Sequence, residues 1–85
     1  MAKLFEVLVE NVSTDRMFIV AQDEQNAREI AQELVDAGRG RVESGYDMGT
    51  AKVVDAGECT NADEGEKAAA ESNRVEYLEL IEEGK

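Results

Sequence analysis

One stretch near the middle of the chain, from Asp23 to Gly38, carries a complete helix signature and constrains the fold more than any other part. Asp23 is placed to cap the helix, because an Asp at this position accepts a hydrogen bond from a free backbone amide. Apolar residues then recur at spacings of three and four and form one stripe: Ala27, Ile30, Ala31 and Leu34. Gly38 follows, where a left-handed residue ends a helix. The sequence therefore predicts an amphipathic helix over residues 23–37 that lies close against a sheet.

Two stretches before this helix predict a β-hairpin. Residues 3–12 alternate, which is typical of a strand with one buried face and one mixed face. The buried face is predicted to carry Phe5, Val7 and Val9. Residues 16–21, RMFIVA, are rich in β-formers and predict a second strand. Ser13, Thr14 and Asp15 supply turn chemistry, and so short a connection predicts antiparallel pairing.

The segment after the helix predicts a long connection and a returning strand. Residues 38–50 hold four of the seven glycines, and Val42 and Tyr46 are the residues expected to pin this connection to the core. Residues 51–56, AKVVDA, predict a third strand whose furthest extent is Cys59. Residues 1–60 are therefore expected to form an α+β core, an antiparallel three-stranded sheet in ββαβ order with one packed helix.

Residues 61–85 form an acidic C-terminal segment of the same domain. Their sequence is compatible with two secondary structures. Asp63 and Glu66 stand in the relation of a capping box, and Gly84 is a candidate stop, so that the helix formers between them predict one acidic C-terminal helix. Residues 74–82, RVEYLELIE, are also typical of a strand, and Ser72-Asn73 of a turn. The alternative is a short helix followed by a fourth strand.

The net charge of the chain favours some classes of binding partner and argues against others. The net charge is −11, and residues 43–85 carry twelve acidic and four basic side chains, which makes −8 of that total. Such a surface repels phosphates, which argues against direct binding to nucleic acid and favours a basic protein or nucleoprotein complex. The longest apolar runs are far too short to cross a membrane, and no secretory leader is recognisable. Its single cysteine cannot form a disulfide within the chain, which fits a reducing compartment. The protein is therefore expected in the cytoplasm of a host cell.

Catalytic, metal and cofactor sites are not expected. The sequence contains no histidine, so Cys59 lacks the usual imidazole base for nucleophilic catalysis. A calcium loop that takes Gly65 as its sixth residue would begin at Thr60, and its ligands do not line up. No set of soft ligands for zinc is present. The sequence therefore predicts a protein that is not an enzyme and holds no cofactor.

The acidic residues of the C-terminal segment are the candidate contact set for a partner. They are Asp63, Glu64, Glu66, Glu71, Glu76, Glu79, Glu82 and Glu83. On a helix, Glu76, Glu79 and Glu83 share one side, where charges lie ~5–6 Å apart. That spacing is comparable with the ~3.4 Å phosphate rise of a nucleic-acid strand, or twice that rise. A basic channel could therefore bind the row as it binds a backbone; the alternative is an ordinary solvated helix face.

Residues 5–38, FEVLVENVSTDRMFIVAQDEQNAREIAQELVDAG, resemble the small DpnD/PcfM-type proteins of phages and mobile elements. In that pattern an alternating hairpin leads into a helix with an acidic start and an xxxAxxIAxxL stripe. The stripe residues here are Ala27, Ile30, Ala31 and Leu34. The resemblance covers residues 3–58, with TAKVVDAGE as the returning strand, and the tail departs from it. It implies a ββαβ fold and brings no catalytic residues.

In size and acidity the chain is also similar in type to anti-CRISPR proteins, several of which are acidic mimics that occupy the nucleic-acid-binding surface of their target. This likeness implies a phage-type inhibitor that binds a basic surface of a host defence complex, such as a CRISPR effector, through its acidic face. The alternative is a non-catalytic accessory or homodimeric structural protein of a phage or mobile element. Such a dimer would pair through the sheet edge or through Val75, Leu78 and Ile81.

Overall fold

The computed structural model describes residues 2–10, 14–38 and 52–84. Its elements in chain order are β1 (Lys3–Glu10), β2 (Thr14–Ala21), α1 (Glu24–Asp36), β3 (Lys52–Glu58) and α2 (Glu64–Glu83). The predicted α+β class, the three-stranded antiparallel sheet and the ββαβ order are confirmed. The C-terminal segment is one continuous helix, so the alternative with a fourth strand over residues 74–82 is wrong.

The sheet has the order β2-β1-β3, with β1 antiparallel to both neighbours. Val7 pairs with Met17 on one side and with Ala56 on the other, and all three side chains are buried on one face. The pairing with β3 shifts between Leu8 and Val9, where a bulge interrupts the ladder. β2 begins at Thr14, so Thr14 and Asp15 belong to the strand and the prediction that they form the turn is wrong.

Helix α1 packs on the buried face as the apolar stripe predicts. The Asp23 carboxylate accepts a hydrogen bond from the amide of Asn26 at 2.8 Å, and Gly38 has a φ of +70° just beyond the helix. The residues that α1 buries are Ala27, Ile30, Ala31, Leu34 and Val35. Their contacts with the strands form the core, because apolar area removed from water is the main favourable contribution to folding. The predicted helix, its cap and its stop are therefore confirmed.

Helix α1 also holds the outer strand β3 through two polar contacts. The side-chain oxygen of Gln32 accepts a hydrogen bond from the backbone amide of Val53 at 3.0 Å. The Arg28 guanidinium lies 3.3 Å from Asp55 and 3.3 Å from Glu24, four residues before it on α1. These contacts fix β3 on the side of the sheet opposite β2.

Helix α2 packs against β2, the other outer strand, and against α1. The Asn73 side-chain amide donates to the backbone carbonyl of Phe18 at 2.9 Å, and Asn73 is the one buried polar residue in the described part of the chain. Tyr77 packs against the core from the same side. The helix ends with Gly84 as its cap residue at a φ of −79°, so Gly84 does not take the left-handed conformation expected of a stop residue. The predictions for residues 39–50, including Val42 and Tyr46, lie outside the described residues.

Candidate functional site

The outward face of α2 exposes large apolar side chains. All twenty residues of this helix are described, and only Ala70 and Asn73 among them are buried. Val75 is 44% exposed, Leu78 50% and Ile81 42%. These three residues follow at intervals of three, so they form a slanting row along the helix, which we call the apolar ridge. Tyr77 and Leu80, by contrast, are half-buried and turn inward.

Two of the eight predicted contact acids serve the start of α2 instead. The Asp63 carboxylate accepts from the amide of Glu66 at 2.8 Å, and the Glu66 carboxylate accepts from the amide of Asp63 at 3.0 Å. This is the predicted capping box, and it satisfies amides that have no partner within the helix. Glu66 also lies 3.9 Å from Arg16 of β2. Asp63 and Glu66 therefore stabilise the start of the helix through their side-chain oxygens.

Two more of these acids lie away from the C-terminal end. Glu71 accepts hydrogen bonds from Nε of Arg74 at 3.0 and 3.1 Å, as the spacing of three predicts. The hydrogen bond holds the pKa of the Glu71 carboxyl below its ordinary value, and the same pair raises the pKa of Arg74. Glu64 is exposed in the first turn, where its negative charge interacts favourably with the positive end of the helix dipole. The negative charge of Glu71 is thus paired within the helix, and that of Glu64 stabilises the first turn.

The remaining acids gather at the C-terminal end of α2. Glu79, Glu82 and Glu83 are exposed and line one shallow depression of about 370 Å³, which we call the acidic end. Glu76 lies on the same flank by helical spacing and is half-buried. The structure therefore divides the predicted set of eight: it brings together the last three and places Asp63, Glu64 and Glu66 at the opposite end of the helix.

The position of the acidic end is unfavourable for the helix itself. Neither described helix has a basic residue in its last turn. Aligned peptide dipoles place partial negative charge at a helix C-terminus, so a carboxylate there opposes the dipole by ~0.3–1 kcal/mol. A sequence chosen for helix stability alone would carry Lys or Arg at these positions. Local rules broken in this way are expected at functional sites.

A groove between the C-terminal ends of α1 and α2 continues from the apolar ridge. Its volume is about 490 Å³, and its lining residues are Glu33, Asp36, Ala37, Leu80, Ile81 and Gly84. We call it the end groove. Glu33 and Asp36 are not among the eight acids that the sequence predicts as partner contacts. They come beside Leu80 only because α2 docks on α1. The one available signal was that α1, like α2, ends on acids with no basic residue in its last turn.

Tyr77 joins the two helices at the wall of this region. Burial raises the pKa of the Tyr77 hydroxyl above its ordinary value, and its hydrogen bond to the Glu33 carboxylate adds to the effect. The negative charge of Glu29 acts in the same direction. The hydroxyl therefore keeps its proton to a higher pH than an exposed tyrosine does.

Among the described residues, no group of three or more His, Cys, Asp or Glu side chains is arranged to bind a metal ion. Cys59 is a half-buried free thiol beside a shallow pocket lined by Leu4, Val20 and Ala70. None of the described helices is both long enough and apolar enough to cross a membrane.

No protein-family model, curated protein or solved structure matches this chain.

Proposed function

We propose that this protein is a non-catalytic, phage-type inhibitor, similar in type to anti-CRISPR proteins, that binds a basic nucleic-acid-binding surface of a host defence complex. The contact is made by the C-terminal half of α2. The observation that carries the proposal is the acidic end, where Glu79, Glu82 and Glu83 gather at the negative end of a helix dipole. Carboxylates that oppose their own helix are explained when a cationic partner binds them.

The neighbouring apolar ridge supports a protein partner rather than a simple counterion. Val75, Leu78 and Ile81 expose 42–50% of their surface beside the acids. Protein interfaces combine a central apolar patch with a charged rim, and the apolar centre supplies most of the affinity. A nucleic-acid channel offers Lys and Arg side chains together with apolar or aromatic surface, which matches both features.

Complementary charge gives this complex a definite salt dependence. The chain carries −11 overall, so it is steered toward a basic surface at a rate that falls as salt is added. The inhibitor would compete with the natural nucleic acid for the same channel, because both present negative charge to it. No chemical step is needed for inhibition.

The test is capture of the partner from host lysate at low and high salt, followed by mass spectrometry and by competition with single-stranded nucleic acid. A variant with Glu79→Lys, Glu82→Lys and Glu83→Lys should lose the partner. A control with Glu10→Lys, Glu29→Lys and Glu58→Lys changes the net charge by the same amount at exposed sites elsewhere and should retain it. Equal loss in both variants would mean that only total charge matters, which contradicts a specific surface.

Stability separates loss of contact from loss of fold in that experiment. Lysine in the last turn of α2 complements the dipole, so the replacements at Glu82 and Glu83 are each expected to stabilise the protein by ~0.3–1 kcal/mol. We therefore expect the triple variant to unfold at higher denaturant concentration than the wild type while it fails to bind. A destabilised variant would show that these carboxylates serve the fold.

A second candidate function is supported by the same apolar ridge. A homodimeric accessory protein of a phage or mobile element could pair two copies through Val75, Leu78 and Ile81. Each copy carries a net charge of −11, so two copies repel one another and added salt would strengthen the dimer, whereas it weakens binding to a basic partner. Light scattering after size exclusion at both salt concentrations distinguishes the two functions. A monomer at every concentration rules out the dimer.

A further inference from the structure

We infer that the end groove receives an arginine side chain from the basic partner. This inference rests on the proposed function, because it names one chemical contact within that interface. The groove lies where the last turn of α1 meets the last turn of α2, next to the apolar ridge. Its apolar lining and its negative charge both suit a long cationic side chain.

The apolar part of the groove suits the stem of such a side chain. Leu80 is half-buried and Ile81 is 42% exposed, and together with Ala37 they give an aliphatic wall. Long cationic side chains lay their methylene groups along apolar surface and keep the charged group in a polar environment. Gly84 adds no side chain that would block the open end of the groove.

The polar part of the groove carries negative charge from two carboxylates. Glu33 and Asp36 are three residues apart on α1, a spacing that places them as neighbours on the helix surface. Glu33 lies near the Tyr77 hydroxyl, whose pKa its carboxylate helps to raise, and Asp36 accepts from the side-chain amide of Gln32 at 2.8 Å. Tyr77 and Gln32 are both neutral. Within residues 2–10, 14–38 and 52–84, no basic side chain forms an ion pair with Glu33 or Asp36.

Two helix ends add to this negative potential. α1 is capped at Ala37 and α2 at Gly84, and both caps belong to the groove lining. The last carbonyls of a helix lack intrahelical donors and carry partial negative charge. A guanidinium has five N–H groups in a planar arrangement, so it can bond a carboxylate and a carbonyl at once, whereas an ammonium acts as a point charge. The geometry therefore favours arginine over lysine.

The direct test is a titration of the full-length protein with N-acetyl-arginine amide, followed by amide NMR. N-acetyl-citrulline amide has the same length and nearly the same shape without the charge, so it is the matched control ligand. We expect saturable shifts at Ala37, Leu80, Ile81 and Gly84 with the arginine compound and none with citrulline. Shifts spread over the whole acidic surface, or equal shifts with both ligands, overturn the inference.

Substitutions in the groove sharpen the same measurement. The variant with Glu33→Gln and Asp36→Asn keeps the side-chain shapes and should weaken binding of the arginine compound about two- to fivefold, as expected for exposed ion pairs. The control with Glu58→Gln and Glu64→Gln removes the same two charges; Glu64 lies about 24 Å from Leu80 along α2. It should bind as the wild type does. Equal weakening in both variants means that the attraction is diffuse, which overturns the groove as a site.

The chain's own arginines provide a further check on the occupant. Arg39 and Arg41 follow α1 in the sequence and lie outside the described residues. Their joint replacement by alanine should leave the affinity for the arginine compound unchanged. A several-fold gain would show that these residues compete for the groove, which would overturn its assignment to a partner.

The experiments distinguish failure of the groove inference from failure of the proposed function. If the arginine compound does not bind while capture of the partner still depends on Glu79, Glu82 and Glu83, the groove inference fails and the proposed function stands. If the compound binds but capture is unaffected by the Glu33 and Asp36 substitutions, the partner does not use the groove and the inference is overturned. If the variant with Glu33→Gln and Asp36→Asn loses both the arginine compound and the partner, the result supports the end groove as the arginine site.

Discussion

The two helices of this protein use their surfaces in opposite ways. α1 spans 13 residues and buries five apolar side chains, whereas α2 spans 20 residues and buries only Ala70 and Asn73, with all residues of both helices described. A helix normally owes its stability in a folded protein to the burial of an apolar face. The longer helix therefore contributes less to the core and leaves more of its apolar surface in solvent. α1 therefore serves the core more than α2 does, and the outward face of α2 is the surface that we propose for recognition.

The means by which each helix is held differ as well. α1 is positioned by a continuous apolar stripe, in which Leu34 is fully buried. α2 is positioned by a few specific contacts, chiefly the Asn73 amide on β2 and the Tyr77 side chain against α1. Apolar burial is not directional, while a hydrogen bond requires one geometry. The placement of α2 should accordingly depend on single residues more than the placement of α1 does.

The largest effect expected from this comparison is the contrast between two leucine-to-alanine substitutions. Leu34→Ala opens a cavity in the core and should lower the free energy of unfolding by ~2–5 kcal/mol. Leu78→Ala removes a side chain that is 50% exposed and should change it by less than ~0.5 kcal/mol. Urea unfolding of both variants measures the difference. Similar losses in the two variants would mean that α2 buries its outward face in solution, which would contradict the division of roles.

A smaller effect is expected at Asn73. Asn73→Ala leaves the Phe18 carbonyl without this donor in a buried position and should cost ~1–3 kcal/mol. Asn61→Ala, at an exposed asparagine before α2, is the matched control and should cost less than ~0.5 kcal/mol. Chemical denaturation monitored by circular dichroism gives both values. An Asn73→Ala variant as stable as the control would show that apolar contacts alone place α2.

The smallest effect expected is a pH dependence at the junction of the two helices. The pKa of Tyr77 is raised in the folded protein above the ordinary value of 10.0, so the folded state holds this proton more tightly than the unfolded state. Its contribution to stability is complete below pH 10.0 and decreases as the pH rises through the folded-state pKa. Tyr77→Phe should therefore flatten the loss of stability in alkali. Unfolding curves across this range check the prediction, and parallel curves for wild type and Tyr77→Phe would contradict it.

Much of the α1 half of the fold could be predicted from the sequence because its signals are local. The Asp23 cap, the stripe through Leu34 and the left-handed Gly38 each follow from rules that act within one or two turns. The alternation of Phe5, Val7 and Val9 identified the buried face of β1 for the same reason. The boundary at Thr14 was missed, since turn-forming residues also occur at strand ends and hydrogen bonding to β1 decides between the two.

The structure of residues 74–82 and the grouping of the acids depended on tertiary contacts. Both a helix and a strand satisfy the apolar pattern of this segment, and the bond from Asn73 to Phe18 together with the contact of Tyr77 to α1 stabilises the helix. That packing turns Glu66 inward, leaves the acidic end exposed and brings Glu33 and Asp36 beside Leu80. The sequence by itself determined the elements that precede α2 and the excess of negative charge. Only the tertiary structure decided which charges share a surface, because charges far apart in the sequence meet only when their helices pack together.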